Sequence, residues 1–284
     1  MIIIFFKYLI KKNKINKQME KVKFLCIGDP HFKKSNLREA EIMSEKIIEH
    51  AKTIKPDFIV CLGDILDTHD LINVSPLKAV TKFLDDLSQI AITYLLIGNH
   101  DYINHSQFLT DNHGFNSFKK WENMHIVDHV IVHDYYGMKF TFCPYTPPGL
   151  FLDALIESGE FWETSECIFA HQEFYGCNFG KTKSIIGDKW DENNPLVISG
   201  HIHDHEILGT NVFYTGSIMQ HGFTETGKKH LWLFTFESND EESKYSYEKL
   251  SLGTNYLDKT NDIKTIQQKI SKYRLNQYKK THFI

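Results

Sequence analysis

From residue 22 the chain alternates short apolar runs with longer stretches that are apolar only every third or fourth position. "VKFLCIG" (22–28), "DFIVCLG" (57–63) and "AITYLLIG" (91–98) have the pattern of strands covered on both faces. Between the first two, Leu37, Ala40, Met43, Ile47, Ala51 and Ile54 fall on one face of a helix. Between the second and third, Leu77, Val80, Leu84 and Leu87 do the same, with Ser75 expected as the N-cap and Pro76 at the first helical position. Strand, helix, strand, helix, strand forces parallel pairing through crossover connections.

The second half has a different rhythm. "HIVDHVIVHD" (125–134) and "MKFTFCPY" (138–145) predict a hairpin around Tyr136-Gly137. A short helix is expected near 149–158, and "ECIFA" (166–170) is a strand that runs into His171. The loop of about 25 residues that follows is long enough to suggest function rather than connection. "PLVISGHIHDHEIL", "NVFYTGS", "KHLWLFTF" and "KYSYEKLSL" then read as a run of antiparallel strands.

Charge divides this chain into three. Residues 1–18 hold five lysines and no acid, and residues 255–284 hold seven Lys or Arg against two Asp, so the net −4 leaves about −14 for residues 19–254. Residues 1–18 have only about nine apolar positions, where a membrane span needs roughly 20, and are expected to be a poorly ordered appendage. The expected organisation is that appendage, one large domain over 19–254, and a basic helical tail over 255–284. Five cysteines without C-x-x-C spacing, four of them in apolar runs, fit small buried hydrophobes in a reducing compartment, cytoplasmic or nuclear.

The chemistry gathers where the apolar runs stop. Polar clusters follow five of them: Asp29 with His31, Asp64, Asn99 with His100, His171, and His201 with His203. Any one of these is more often a cap or a turn than a ligand. Together they place two carboxylates, one amide and five imidazoles beyond strand ends, where α/β sheets carry their sites. Imidazole with carboxylate suits divalent Mn, Fe or Zn rather than Mg or Ca. The glycine before most clusters is expected to let the backbone turn while the next side chain faces the site.

"GDPHF", "GDILD", "GNHD", "AHQEF" and "GHIH" resemble the five signature blocks of the calcineurin-like metallophosphoesterases, over about residues 22–236. The resemblance implies an α/β fold, a four-layer α/β/β/α sandwich of two mixed sheets flanked by helices. It also implies two divalent transition-metal ions, manganese foremost. Asp29, His31 and His203 would hold one, Asn99, His171 and His201 the other, and Asp64 would bridge them. His100 would sit by the scissile phosphate, with Asp101 orienting it. Such a centre hydrolyses phosphate esters with a bridging hydroxide activated by the metals.

The "GDILDTHD" block with Asp67, the "HQ" at 171–172 and "FYTGSIMQHGFTETGKKHLWLFTF" look most like the double-strand-break repair nucleases of the SbcD type. That likeness implies a phosphodiesterase or nuclease acting on DNA. The acidic body argues against tight duplex binding, since duplex affinity comes largely from cationic contacts. Lys269, Lys272, Arg274, Lys279 and Lys280 in the tail could supply some, or dock a protein partner. A small-molecule phosphoesterase, or a binding subunit that keeps the metals for structure, are the alternatives. His69, Asp70, His105 and His221 are expected to line the pocket together with Asp67. Tyr145 and Phe174 could stack on a base or sit in the core. His125, His129 and His133 are expected to share one surface face of a strand.

Overall fold

The computed structural model describes residues 20–159, 161–180, 182–222, 225, 228–238 and 243–252. The two basic segments, 1–18 and 255–284, and the tail lysines with them, lie outside the described residues.

The first half folds as β1 (Glu20–Ile27), α1 (Leu37–Ile54), β2 (Phe58–Cys61), α2 (Val74–Ser88), β3 (Ile92–Leu96) and β4 (Met124–Val127). β1, β2, β3 and β4 pair in parallel in that order. The second half contributes β5 (Ile131–Tyr135), β6 (Met138–Phe142), α3 (Phe151–Glu157), β7 (Cys167–Ala170), a small hairpin of β8 (Asn178–Phe179) and β9 (Thr182–Lys183), and β10 (Leu196–Ser199). β11 (Glu206–Leu208), β12 (Val212–Tyr214), β13 (His230–Ser238) and β14 (Ser243–Ser251) complete it. One six-stranded sheet has the order β14-β13-β1-β2-β3-β4, and the other β11-β12-β10-β7-β6-β5. Both are mixed, as expected.

Alternation along the apolar strands explains the layers. Val22, Phe24 and Cys26 of β1, with Phe58 and Val60 of β2, point between the sheets onto Phe140, Phe142 and Phe169. Leu25, Ile27, Ile59 and Cys61 point the other way, onto Met43, Ile47, Val80 and Leu84 of the helices. α3 covers the outer face of the second sheet through Phe151, Ala154 and Leu155. The middle layer is aromatic, with Phe24 4.6 Å from Phe140 and 4.8 Å from Phe169 between ring centroids. Each such buried side chain contributes roughly 1.5–3 kcal/mol. The cysteines are all free and buried. No described helix is long and apolar enough to cross a membrane.

Several local expectations are corrected. Helix α2 begins one residue before Ser75, with Asn73 in extended backbone as its N-cap and no side-chain cap. Asn73 O accepts the first helical bond, from Leu77 N at 3.1 Å. Pro76 therefore sits third, where its missing N–H is still one that a helix leaves unpaired.

The run at 125–134 is not one strand. Asp128 is drawn into a cluster with His113, Lys119 and His129, and the chain crosses there from β4 in the first sheet to β5 in the second. His125, His129 and His133 thus do not all share one face, though the rings of His125 and His133 meet at 5.4 Å. His125 stacks on Tyr94, His133 Nδ1 lies 2.6 Å from Tyr94 Oη, and His129 is the exposed one. The late strands are not uniformly antiparallel, because β10 pairs in parallel with both β7 and β12. Phe174 is core, packed on Phe151 and Trp190.

Candidate metal centre

The five polar clusters meet at the carboxyl ends of β1, β2, β3, β7 and β10. The backbone there is strained. Asp29, His31, Asp64 and His201 take φ of 40°, 45°, 50° and 75°, a region such residues enter at a cost of about 1–3 kcal/mol each. The expected division of labour is therefore adjusted. The residue after glycine makes much of the turn, and the glycine supplies room. A Cβ on Gly98 would stand 2.3 Å from both the backbone N and Oδ1 of Asp64.

Three groups of side chains could each hold an ion: Asp29, His31 and His203; His31, Asp64 and His100; and Asp64, His171 and His201. Asn99 joins the last, its Oδ1 3.0 Å from His171 Nε2 and 2.9 Å from His201 Nδ1. Asp64 Oδ2 lies 3.4 Å from His31 Nε2 and 3.3 Å from His171 Nε2, so one carboxylate oxygen is common to both halves. His31 Nε2 and His203 Nε2 approach to 3.1 Å.

Of the remaining ring nitrogens, those of His171 and His203 have an oxygen at hydrogen-bond distance, whereas His31 Nδ1 makes no hydrogen bond. His171 Nδ1 donates to Leu62 O at 2.6 Å. His31 Nδ1 lies 3.4 Å from Asp67 Oδ1, His201 Nε2 3.9 Å from Glu173 Oε2, and His203 Nδ1 3.1 Å from Glu225 Oε1. An acceptor behind an imidazole fixes its tautomer and leaves the opposite nitrogen free to ligate. Sequence reasoning missed Glu173 and Glu225. Glu173 stood two residues after His171, and Glu225 stood in the stretch before β13.

The fit to cations rests on what lacks a partner. Asp29 Oδ1 accepts from His201 N, but Oδ2 is buried with no hydrogen bond. A bare buried carboxylate oxygen is costly unless a positive charge meets it. The donor set of imidazole, carboxylate and amide supplies the N and O ligands that borderline divalent ions take.

Electrostatics agree. Burial raises Asp64, yet His171, His31 and His100 outweigh it and hold the carboxylate well below its usual range. Burial lowers His171, but Asp64 and Asp29 carry it up to about 9. Burial pulls His203 down, and Glu225 and Asp29 more than offset this. His201 is lowered, chiefly by burial.

His171 must shed its proton to ligate, so apparent Mn2+ affinity should fall about tenfold for each pH unit below about 9, with proton release on binding. Competition titrations at several pH values, with an indicator dye for released protons, measure both. Affinity independent of pH between 6.5 and 8.5 would show that no proton leaves His171 on binding, against its raised pKa.

Asp101 does not orient His100 as expected. His100 Nδ1 lies 2.8 Å from the backbone carbonyl of Asp67, which orients the ring. Asp101 accepts from the backbone N–H of Ile65, Leu66 and Gly98 instead. Burial, then the nearby Asp64, push its carboxyl up to about 7. Asp101 is thus a staple between two turns.

Of the pocket residues, Asp67 pairs with Lys33 at 2.8 Å. His69 stacks on His100 at 5.0 Å, and His105 lies behind His69 at 6.1 Å. His221 donates from Nε2 to Asp29 O at 2.9 Å, with its ring 4.7 Å from that of His31. Tyr145 is buried beside His201 at 5.9 Å, and Phe179, half exposed, flanks the same imidazole at 5.8 Å.

Comparison with known proteins bears on this centre. The chain is 44% identical over 227 residues to "Putative phosphoesterase 244L" of Invertebrate iridescent virus 6, covering 79% of each. It is 44% identical over 208 residues to "Putative phosphoesterase 078R" of Invertebrate iridescent virus 3, covering 72% of this chain and 60% of that one. Among solved structures, a dimetal phosphatase from Danio rerio (LOC 393393) is 12% identical, with 79% of this chain and 98% of that one covered and a TM-score of 0.49. The model of the family described as calcineurin-like phosphoesterase matches residues 22–205, a span that holds every residue of the three ligand groups. With that match over most of its length, the chain belongs to the calcineurin-like phosphoesterases, hydrolases of phosphate esters that depend on a dinuclear metal centre.

Proposed function

We propose that this chain hydrolyses phosphodiesters, with the end of a DNA strand as its substrate, at a dinuclear manganese centre. Asp29, His31 and His203 would hold one ion and Asn99, His171 and His201 the other, with Asp64 shared between them. The observation that carries the dinuclear reading is Asp64 Oδ2, equally near His31 and His171. Bound ions there supply Lewis acidity and an activated water.

The chain's own groups do the rest. His100, held through Nδ1 by the Asp67 carbonyl, keeps Nε2 for the substrate. Protonated, it donates to the leaving oxygen as the ester bond breaks. Phe179, half exposed with its ring 5.8 Å from that of His201, offers a face on which a base can stack. The acidic body supports a strand end rather than a long duplex, whose binding would need many cationic contacts.

The test is Mn2+-dependent hydrolysis of bis-p-nitrophenyl phosphate, followed by a panel of single-stranded DNA, duplex DNA, cyclic nucleotides and phosphomonoesters. His100→Ala should lower kcat about 10²-fold or more while both ions stay bound. Turnover of monoesters alone would give the reading to a small-molecule phosphatase. No turnover with both ions bound would give it to a binding subunit.

A further inference from the structure

His171 and His203, one from each half of the centre, are supported differently. His171 is anchored by the Leu62 carbonyl, inside the sandwich at the end of β2. His203 is anchored from the β12–β13 connection, by the side chain of Glu225. That carboxylate is gripped in turn. It accepts from the backbone N–H of His221 at 3.2 Å and of Gly222 at 2.9 Å, and Lys229 Nζ lies 2.8 Å from its Oε2. Lys229 also donates to His203 O at 2.6 Å, tying backbone and ring of that residue to one ion pair.

The same connection reaches the other ligands of that half. His221 Nε2 donates to Asp29 O, and Ile218 N to Gly28 O at 2.9 Å. Glu225 and Lys229 are largely withdrawn from water, their side chains 10% and 12% exposed, so the pair is screened little by solvent. None of these bonds reaches Asn99, His171 or His201. The Glu225 carboxylate has acceptor capacity for one more N–H, and it spends it on His203 Nδ1. That leaves His203 Nε2, which faces His31 Nε2 at 3.1 Å, with its lone pair toward the centre.

We infer that Glu225, locked by Lys229, is a positioning residue that sets the metal affinity of the Asp29–His31–His203 half alone. The inference rests on the dinuclear reading above. Losing such a carboxylate behind a ligating histidine costs about 10–100-fold in metal affinity, and here the loss should fall on one ion of two.

The experiment titrates the metal-free full chain with Mn2+ and counts free ion by its electron paramagnetic resonance signal, with no substrate present. The wild-type chain should take up two ions. Glu225→Ala should keep one ion at wild-type affinity and bind the second about 10–100-fold more weakly. Glu225→Gln, which keeps an acceptor for His203 Nδ1 in nearly the same shape, should fall between them. Lys229→Met should weaken the same ion, by less than Glu225→Ala.

Glu225→Gln serves if the alanine variant does not fold. Two wild-type sites in Glu225→Gln and Lys229→Met would overturn the inference, as would equal weakening of both ions in a folded variant. A wild-type chain that binds no Mn2+ would instead overturn the dinuclear reading, and this inference with it.

Discussion

Asp64→Asn should cost about 10³-fold or more in kcat/KM for a phosphodiester. The side chain is 2% exposed and engaged on both oxygens. Oδ1 accepts from His100 N at 2.8 Å, which an amide oxygen can still do. Oδ2 faces His31 and His171 at once, and an NH2 group there has no lone pair for either ion. Charge stabilisation by such ions is worth several kcal/mol, and each 1.4 kcal/mol is about a decade in rate.

The substitution also strips His171 of the main charge that raises it, so its pKa should fall from about 9 toward the range burial alone would give. Mn2+ uptake should drop from two ions to one or none, with the secondary structure intact by circular dichroism. Asp64→Asn that retained two ions and a tenth of the wild-type kcat/KM would show that the halves do not share this oxygen.

The residues that gather here were legible because each cluster is a short stretch of sequence. Each cluster directly follows an apolar run, and parallel strands bring their carboxyl ends to one side. Which oxygen backs which imidazole was not legible. Leu62 O and Asp67 O are backbone atoms, and no residue type announces them.

Glu225 meets His203 from 22 residues further along the chain, near Ile218 and His221, which bond Gly28 O and Asp29 O. Its one sequence trace is Lys229 four residues on, a spacing read more readily as a solvated helix face. The β4–β5 break was hidden for a related reason. The run from 125 to 134 is apolar enough for one strand, and the partners of Asp128, His113 and Lys119, come from the connection between β3 and β4, Lys119 from its short 3-10 helix. The layers were the easiest part, since apolar residues on both faces of β1 and β2 require cover on both sides.

Asp101 is where a local reading misled, and where the second large effect is expected. Its place beside His100 suggests a carboxylate that steers the imidazole. Its oxygens are instead taken by three backbone amides, Leu66 N at 3.0 Å, Ile65 N at 3.3 Å and Gly98 N at 3.0 Å. These bonds join the turn that carries Asp64 to the turn that carries Asn99 and His100.

Asp101→Ala would bury three N–H groups without an acceptor. At about 1–3 kcal/mol for each unsatisfied group, the loss should reach about 3 kcal/mol at least, a large share of the roughly 5–15 kcal/mol that holds a domain together. For a chain of this size that lowers Tm by about 6–12 °C. Asn is not expected to rescue it, because one of its two terminal atoms is a donor facing donors.

A steering carboxylate and a staple predict opposite patterns. Removing a steering group would shift the pH dependence of kcat and leave Tm nearly unchanged. Removing the staple should lower Tm and Mn2+ affinity together, while the active fraction keeps the wild-type pH profile, because the Asp67 carbonyl still holds His100 Nδ1. Thermal melts, Mn2+ titration and kcat against pH on the one variant decide between them, and an unchanged Tm would return Asp101 to the role its position in "GNHD" suggests.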